Sequence, residues 1–182
     1  MLLVEEKMLE YIIAGCKERD STCQKQLYEI YGKRMTALCL RYCNDYETAK
    51  DLMHDGFIKV FSSISEYKGE GSFNAWIKKI FLNVALDNLK KNILKKNSVE
   101  LSIVDNYISD ENAEISQNID TEHIFKAIQQ LPQVARTIFN MFNIDGYSID
   151  EICKKLNMSN IAVRTQHSRA KQKLREILKD YI

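Results

Sequence analysis

The residues that could do chemistry in this chain favour binding over catalysis. The sequence contains no recognisable catalytic Ser/His/Asp set, phosphate-binding glycine loop or metal-ligand cluster. Instead, basic and hydrogen-bonding residues recur near the C-terminus: Arg164, Thr165, Ser168, Arg169 and Lys171. On a helix these residues lie on one broad side, where cations can meet phosphates and short polar groups can meet base edges. The pattern predicts a contact with duplex DNA.

The cysteines and histidines give only weak support for a metal site. Cys39 and Cys43 are four residues apart on a predicted helix and could bind a metal with His54, but the paired spacings of zinc sites are missing. The five cysteines are odd in number and scattered, which is typical of reduced thiols in a cytoplasm. We therefore expect no cofactor and no metal, with the cysteines serving as small core residues.

The basic residues fall in a segment, 148–178, that is predicted to form a helix-turn-helix. Ser148 and Glu151 have the spacing of a capping box, Asn157 suits a left-handed turn, and Ser159 can cap the second helix. An apolar stripe on that second helix would face the core: Val163, Ala170, Leu174 and Ile177. The alternative is a solvated cationic face on an ordinary terminal helix.

A helix predicted over residues 46–64 has two unlike faces. The face expected to be buried carries Ala49, Met53, Val60 and Ile64. The opposite face carries Asp51, His54, Asp55 and Ile58. An isoleucine set among acids on the outside suggests a protein-docking surface, although a single exposed apolar residue is also normal on a solvated face.

The helix predicted over residues 73–95 follows a polar, glycine-containing loop at 65–72. Its buried stripe is expected to be Phe73, Ile77, Ile80 and Val84. Beside that stripe lie Trp76, Lys79 and Asn83, a set that suits unpaired nucleic acid because charges track phosphates and rings stack on bases. The alternative makes Trp76 a core residue and the lysines ordinary surface.

Only one proline and six glycines interrupt the chain of 182 residues, so we expect an all-α fold. Further helices are predicted over 5–18, 22–43, 121–130 and 132–145. Charge divides the chain, because residues 98–122 carry seven acids and no lysine or arginine, whereas residues 123–182 carry ten basic and five acidic residues. We predict two small helical domains, 1–97 and 123–182, joined by an acidic linker, 98–122. No signal peptide is recognisable, and no stretch approaches the roughly 20 apolar residues that span a bilayer.

Taken in order, three segments resemble the extracytoplasmic-function group of sigma factors, the subunits that give bacterial RNA polymerase its promoter choice. The run from Tyr46 to Phe61 resembles the helix that docks on core polymerase, and the run from Gly71 to Leu89 resembles the promoter-melting helix. The helix-turn-helix is similar to the reader of the −35 element. His54 and Asp55 stand where the family usually has Gln-Glu, Asn157 replaces a common glycine, and His167 occupies a position that is more often apolar.

The resemblance implies a cytoplasmic, non-catalytic protein whose partners are core RNA polymerase, promoter DNA and an anti-sigma factor, without direct membrane insertion. Asp51, His54, Asp55 and Ile58 would bind polymerase. The −10 DNA would be contacted by Tyr67, Lys68, Trp76, Lys78, Lys79 and Asn83. Arg164, Thr165, Ser168, Arg169 and Lys171 would contact the −35 duplex.

Two other interpretations remain open at the level of sequence. A stand-alone helix-turn-helix regulator would bind duplex DNA without polymerase, most simply as a dimer on palindromic sites. Its front half would then serve dimerisation or sensing, which leaves the acidic docking face and the Trp76 helix unexplained. A small helical enzyme would need a catalytic constellation that the sequence does not offer.

Overall fold

A computed structural model describes residues 2–97 and 119–179. In these ranges the chain is built from helices and short turns without a β-strand, as expected for an all-α fold. The helices are α1 Leu2–Lys17, α2 Ser21–Leu40, α3 Tyr46–Ser63, α4 Phe73–Asn97, α5 Ile119–Gln129, α6 Gln133–Phe139, α7 Ile149–Leu156 and α8 Asn160–Ile177. A 3₁₀ turn, Ile64–Glu66, follows α3, and a π-helical turn, Asn140–Ile144, follows α6. Residues 98–118 of the predicted acidic linker lie outside the described ranges.

Contacts between Cα atoms divide the chain into two compact units. Of the described residues, the first unit contains those up to Cys39 and Glu47–Ala85, and the second contains Leu40–Tyr46 and those from Leu86 onward. The predicted division into domains 1–97 and 123–182, with a linker over 98–122, stays a prediction.

In the first unit, α3 and α4 approach closely at a glycine. A Cβ atom added to Gly56 would lie 2.2 Å from Cε1 of Phe81, whose ring is fully buried. The Phe81 ring in turn meets the Phe57 ring edge-on, with the centroids 5.3 Å apart. The absence of a side chain at Gly56 is therefore what lets the two helices pack at this point.

In the second unit, α8 packs against α5, α6 and α7. Its predicted apolar stripe is largely confirmed, because Val163, Ala170 and Leu174 are buried and Ile177 is half-buried. The core cluster under α8 consists of Ala127, Ile128, Leu131, Ala135, Ala170 and Leu174. This arrangement leaves the other side of α8 facing outward.

The second unit also holds the short segment Leu40–Tyr46 through buried polar groups. Arg136 of α6 is 2% exposed and donates to the backbone oxygen of Cys43 at 2.8 Å and to Oδ1 of Asn44 at 2.6 Å. Those two bonds come from Nη2 of Arg136. Nη1 donates to the backbone oxygen and Oε1 of Gln129, at 3.0 and 2.7 Å. Burial lowers the pKa of the Arg136 guanidinium, which costs the charged form free energy that these four bonds offset.

Two further amides bind the same segment. Nδ2 of Asn140, which is fully buried, donates to the backbone oxygen of Arg41 at 2.8 Å, and Nε2 of Gln129 donates to that of Leu40 at 2.7 Å. The helix predicted over 22–43 therefore ends at Leu40, because the carbonyl groups beyond it are turned toward side chains of the second unit.

Candidate nucleic-acid and partner interfaces

The helix-turn-helix forms through the caps that the sequence predicted. The Ser148 side chain accepts from the backbone N–H of Glu151, whose carboxylate accepts from the backbone N–H of Ser148 at 2.9 Å. Asn157 adopts the left-handed conformation, with φ 54° and ψ 47°, and Ser159 accepts from the backbone N–H of Ala162. The turn and the start of α8 are thus fixed by local chemistry.

We call the outward side of α8 the recognition face. It is composed of five exposed residues, Arg164, Thr165, Ser168, Arg169 and Lys171. Nε of Arg164 donates to Oδ1 of Asn160 at 2.6 Å, and Nδ2 of Asn160 donates to Oδ1 of Asp150 on α7 at 3.3 Å. This chain of bonds restrains the Arg164 side chain on the face before any ligand arrives.

His167 lies on the inner side of α8. Its ring centroid is 4.7 Å from that of Phe142, and its Nε2 is 2.8 Å from Oδ1 of Asn143, both in the π-helical turn. Burial lowers the pKa of the His167 imidazole, and the nearby Lys171 lowers it further. The His167 ring therefore packs against its own unit.

In the first unit, aromatic rings gather where the 65–72 loop meets α4. We call Tyr67, Phe73 and Trp76 the aromatic cluster, because their ring centroids lie 5.2–5.4 Å apart. Tyr67 also closes its loop by donating from its hydroxyl to the backbone oxygen of Gly71 at 2.8 Å. Phe73 is buried, whereas Tyr67 and Trp76 are half-buried and keep part of each ring accessible. Trp76 is thus part core and part surface, between the two interpretations that the sequence left open.

The polar and charged residues predicted beside this cluster do not all lie together. Lys68 on the loop and Lys79 on α4 are exposed, and Asn83 is half-buried one turn beyond Lys79. Trp76, Lys79 and Asn83 follow one stripe of α4 at three- and four-residue spacing. Lys78 is half-buried and, because each residue turns a helix by about 100°, lies away from that stripe.

Lys17 and Tyr31 support the aromatic cluster and were missed by sequence reasoning. Nζ of Lys17 donates to the backbone oxygen of Tyr67 at 2.7 Å and lies 5.9 Å from the centroid of its ring. The Tyr31 hydroxyl donates to Oδ1 of Asn74 at 2.8 Å, and its ring meets Phe73 edge-on. Burial raises the pKa of Tyr31, which keeps this hydroxyl a donor. The contacts join residues about 40 to 50 positions apart, and no local pattern marks them.

The outer face of α3 carries the four residues predicted to dock a protein. Asp51, His54, Asp55 and Ile58 are exposed, and 67% of the Ile58 surface is accessible. The opposite face, with Ala49, Met53, Val60 and Ile64, is buried as predicted. Nε2 of His54 lies 3.3 Å from the Tyr28 hydroxyl of α2, and the two rings stack with centroids 6.5 Å apart. An exposed aliphatic group between carboxylates can accept a partner that presents both apolar and basic groups.

Within the described ranges, no group of three metal-ligating side chains comes together. Among the same residues, no helix is long and apolar enough to cross a bilayer.

Two family models match the chain, and each covers one set of these surfaces. The model described as Sigma-70 region 2 matches residues 27–93, which include the outer face of α3 and the aromatic cluster. The model described as Sigma-70, region 4, matches residues 122–174, which include the helix-turn-helix.

The chain also aligns with curated relatives over most of their length. The chain is 26% identical to the ECF RNA polymerase sigma factor SigW of Bacillus subtilis, with 96% of this chain and 99% of the relative aligned. It is 23% identical to the RNA polymerase sigma-H factor of Pseudomonas aeruginosa, with 81% of this chain and 82% of the relative aligned. Among solved structures, the sigma factor RpoE of Bartonella quintana, in complex with the anti-sigma factor NepR, matches with a TM-score of 0.53 and 18% identity. The match covers 85% of this chain and 96% of that one, and it shows a shared fold.

Proposed function

Because the chain belongs to the extracytoplasmic-function group of the sigma-70 family, it is a promoter-recognition subunit of RNA polymerase, and we propose how its surfaces divide that work. Proteins of this family regulate transcription initiation and are not catalysts. The observation that carries the proposal is the exposed recognition face of α8, held on a helix-turn-helix whose caps and buried stripe are all in place.

We assign −35 recognition to that face. Arg164, Arg169 and Lys171 supply cations for phosphates or guanine edges, and Thr165 and Ser168 supply short hydrogen-bonding groups for base edges. The bond from Arg164 to Asn160 supports this role, because a restrained guanidinium loses less entropy on binding.

We assign docking on core polymerase to the outer face of α3. Ile58 would enter an apolar contact, while Asp51 and Asp55 would meet basic groups around it. His54 would extend the same face, with its ring oriented by Tyr28.

We assign −10 recognition and melting to the aromatic cluster and the polar groups near it. A base taken out of the duplex costs a few kcal/mol and must find stacking and phosphate contacts elsewhere. The accessible parts of Tyr67 and Trp76 would provide stacking, and Lys68, Lys79 and Asn83 would provide contacts along the strand. Lys78 would act at a distance from this stripe, through the phosphate backbone.

We further infer that an anti-sigma protein controls the chain in the cytoplasm, where RNA polymerase works. The support is the fold shared with a sigma factor solved in complex with such a protein. Exposed acidic, apolar and basic faces on one small chain are surfaces that an inhibitor could cover.

Transcription with core RNA polymerase that lacks a sigma subunit tests the docking role. We expect discrete transcripts from genomic DNA of the source organism with the wild-type chain, and their loss with Asp51→Lys or Asp55→Lys. Glu10→Lys is a matched control, because Glu10 is an exposed acid on α1. Equal transcription by all three variants would remove α3 from the docking surface.

Binding of the reconstituted holoenzyme to the promoters found in that assay tests the −35 role. Arg164→Ala should weaken binding. If the arginine contacts a phosphate, the slope of the logarithm of the binding constant against the logarithm of the salt concentration should also become shallower by about one. Lys173→Ala is the matched control, because Lys173 is exposed and lies about 180° around α8 from Arg164. A larger loss with Lys173→Ala than with Arg164→Ala would contradict the assigned face.

A further inference from the structure

Ile161, in the first turn of α8, is exposed over 79% of its surface, the largest exposure among the large apolar side chains of the described residues. A single exposed aliphatic residue is common on protein surfaces. Its position is what makes this one informative. Ile161, Thr165 and Ser168 stand at i, i+4 and i+7, so Ile161 extends the recognition face by one turn toward the start of the helix.

The surroundings of Ile161 point to DNA as the partner. Asn160 and Arg164 flank it and are bonded to each other, so a cation is held beside the aliphatic group. Residues in the first turns of a recognition helix are the ones that reach base edges in the major groove. A polyanion drawn to Arg164 and Lys171 would therefore bring base edges to Ile161.

The chemistry of Ile161 selects among those edges. Its side chain can neither donate nor accept a hydrogen bond, so it gains nothing from the polar edges of guanine, cytosine or adenine. Thymine alone among the four bases presents a methyl group in the major groove. We propose that Ile161 is a specificity-determining residue that contacts a thymine methyl group in the −35 element. The inference rests on the −35 role proposed for α8.

The test compares thymine with deoxyuridine, which lacks only that methyl group. Holoenzyme reconstituted from the full chain and core polymerase would first enrich −35 sequences from a randomised duplex pool. Each thymine of the enriched duplex, on both strands, would then be replaced singly by deoxyuridine. For the wild-type chain we expect one position at which the replacement weakens binding about four-fold, the value for one buried methyl group.

Ile161→Ala should weaken binding to the thymine duplex by a similar factor. The variant should bind that duplex and the duplex with deoxyuridine at the sensitive position with equal affinity. Alanine is a good helix former at an exposed site, so α8 should keep its stability. Ile124→Ala is the matched control, because Ile124 is an exposed isoleucine on α5, and it should keep the thymine preference.

Three results would overturn the inference while leaving −35 binding intact. These are an enriched element without an A·T pair, no thymine that differs from deoxyuridine, and a thymine preference that survives in Ile161→Ala. If Ile161→Ala weakens association with core polymerase and leaves the preference unchanged, the residue belongs to a protein contact and the inference fails. Enrichment of no sequence at all would instead refute the proposed function of α8, and the inference with it.

Discussion

Replacing Arg136 by methionine should destabilise the second unit, because the guanidinium organises the segment Leu40–Tyr46. Methionine keeps an unbranched, flexible stem of similar length, so the substitution removes mainly the charge and the four hydrogen bonds. Two of the acceptors are the backbone oxygens of Cys43 and Gln129. The other two are the side-chain oxygens of Gln129 and Asn44, and the Asn44 side chain is exposed and can bind water instead.

The magnitude follows from those two carbonyl groups. A buried acceptor that loses its donor costs about 1–3 kcal/mol, so the pair costs about 2–6 kcal/mol. Removing the guanidinium also ends the cost of burying a charge, which the lowered pKa of Arg136 reflects. We therefore expect the free energy of unfolding to fall by about 3 kcal/mol. Arg136→Lys should cost less, because an ammonium group can still donate to part of the acceptors.

Urea unfolding followed by far-ultraviolet circular dichroism is the appropriate assay, since Trp76, the single tryptophan, lies in the first unit. A double-mutant cycle with Asn44→Ala should give a coupling of about 1–2 kcal/mol. Arg175→Met, at an exposed position of α8, should stay within about 0.5 kcal/mol of the wild type. The reasoning is refuted if Arg136→Met also stays within that margin.

Two further predictions concern a helix contact and a buried thiol. Gly56→Ala should lower the free energy of unfolding by about 1–3 kcal/mol in urea titrations, because its Cβ would overlap the Phe81 ring. Gly32→Ala is the control: its Cβ would have only an ordinary 3.7 Å contact, so the free energy of unfolding should rise by about 0.5–1 kcal/mol. Equal effects of the two substitutions would argue against the tight contact at Gly56. Burial raises the pKa of the Cys43 thiol to about 11 from 9.0, so the unfolded chain loses this proton first as pH rises. The free energy of unfolding should therefore fall between about pH 9 and 11. Cys43→Ala should make this fall with pH less steep, and an unchanged steepness would contradict the pKa shift.

The helix-turn-helix could be predicted from the sequence nearly residue by residue because its determinants are local. The capping box at Ser148, the left-handed Asn157 and the cap at Ser159 each involve residues within three or four positions of one another. The same holds for the buried and exposed faces of α3, which follow from helical periodicity. Local signals of this kind survive folding because tertiary contacts reinforce them.

The contacts that the sequence did not predict are those that join distant positions without a repeating pattern. Arg136 reaches acceptors 92 and 93 residues away, and Lys17 reaches Tyr67 across 50 residues. A buried arginine without a carboxylate among these acceptors has no sequence signature, since most arginines are exposed. Ile161 was missed for a different reason, because apolar residues on helices are expected to face the core.

The three proposed interfaces share one structural feature, a side chain restrained by a neighbour on its own unit. His54 is stacked on Tyr28, the Tyr67 hydroxyl donates to the backbone oxygen of Gly71, and Arg164 is bonded to Asn160. Each restraint reduces the rotamer freedom that binding would otherwise remove, at about 0.5–1.5 kcal/mol for a flexible side chain. Because these restraints lie within one unit or the other, each surface is formed before its partner arrives. Promoter choice can then depend on whether polymerase, DNA or an inhibitor reaches a ready-made surface, and not on folding that surface anew.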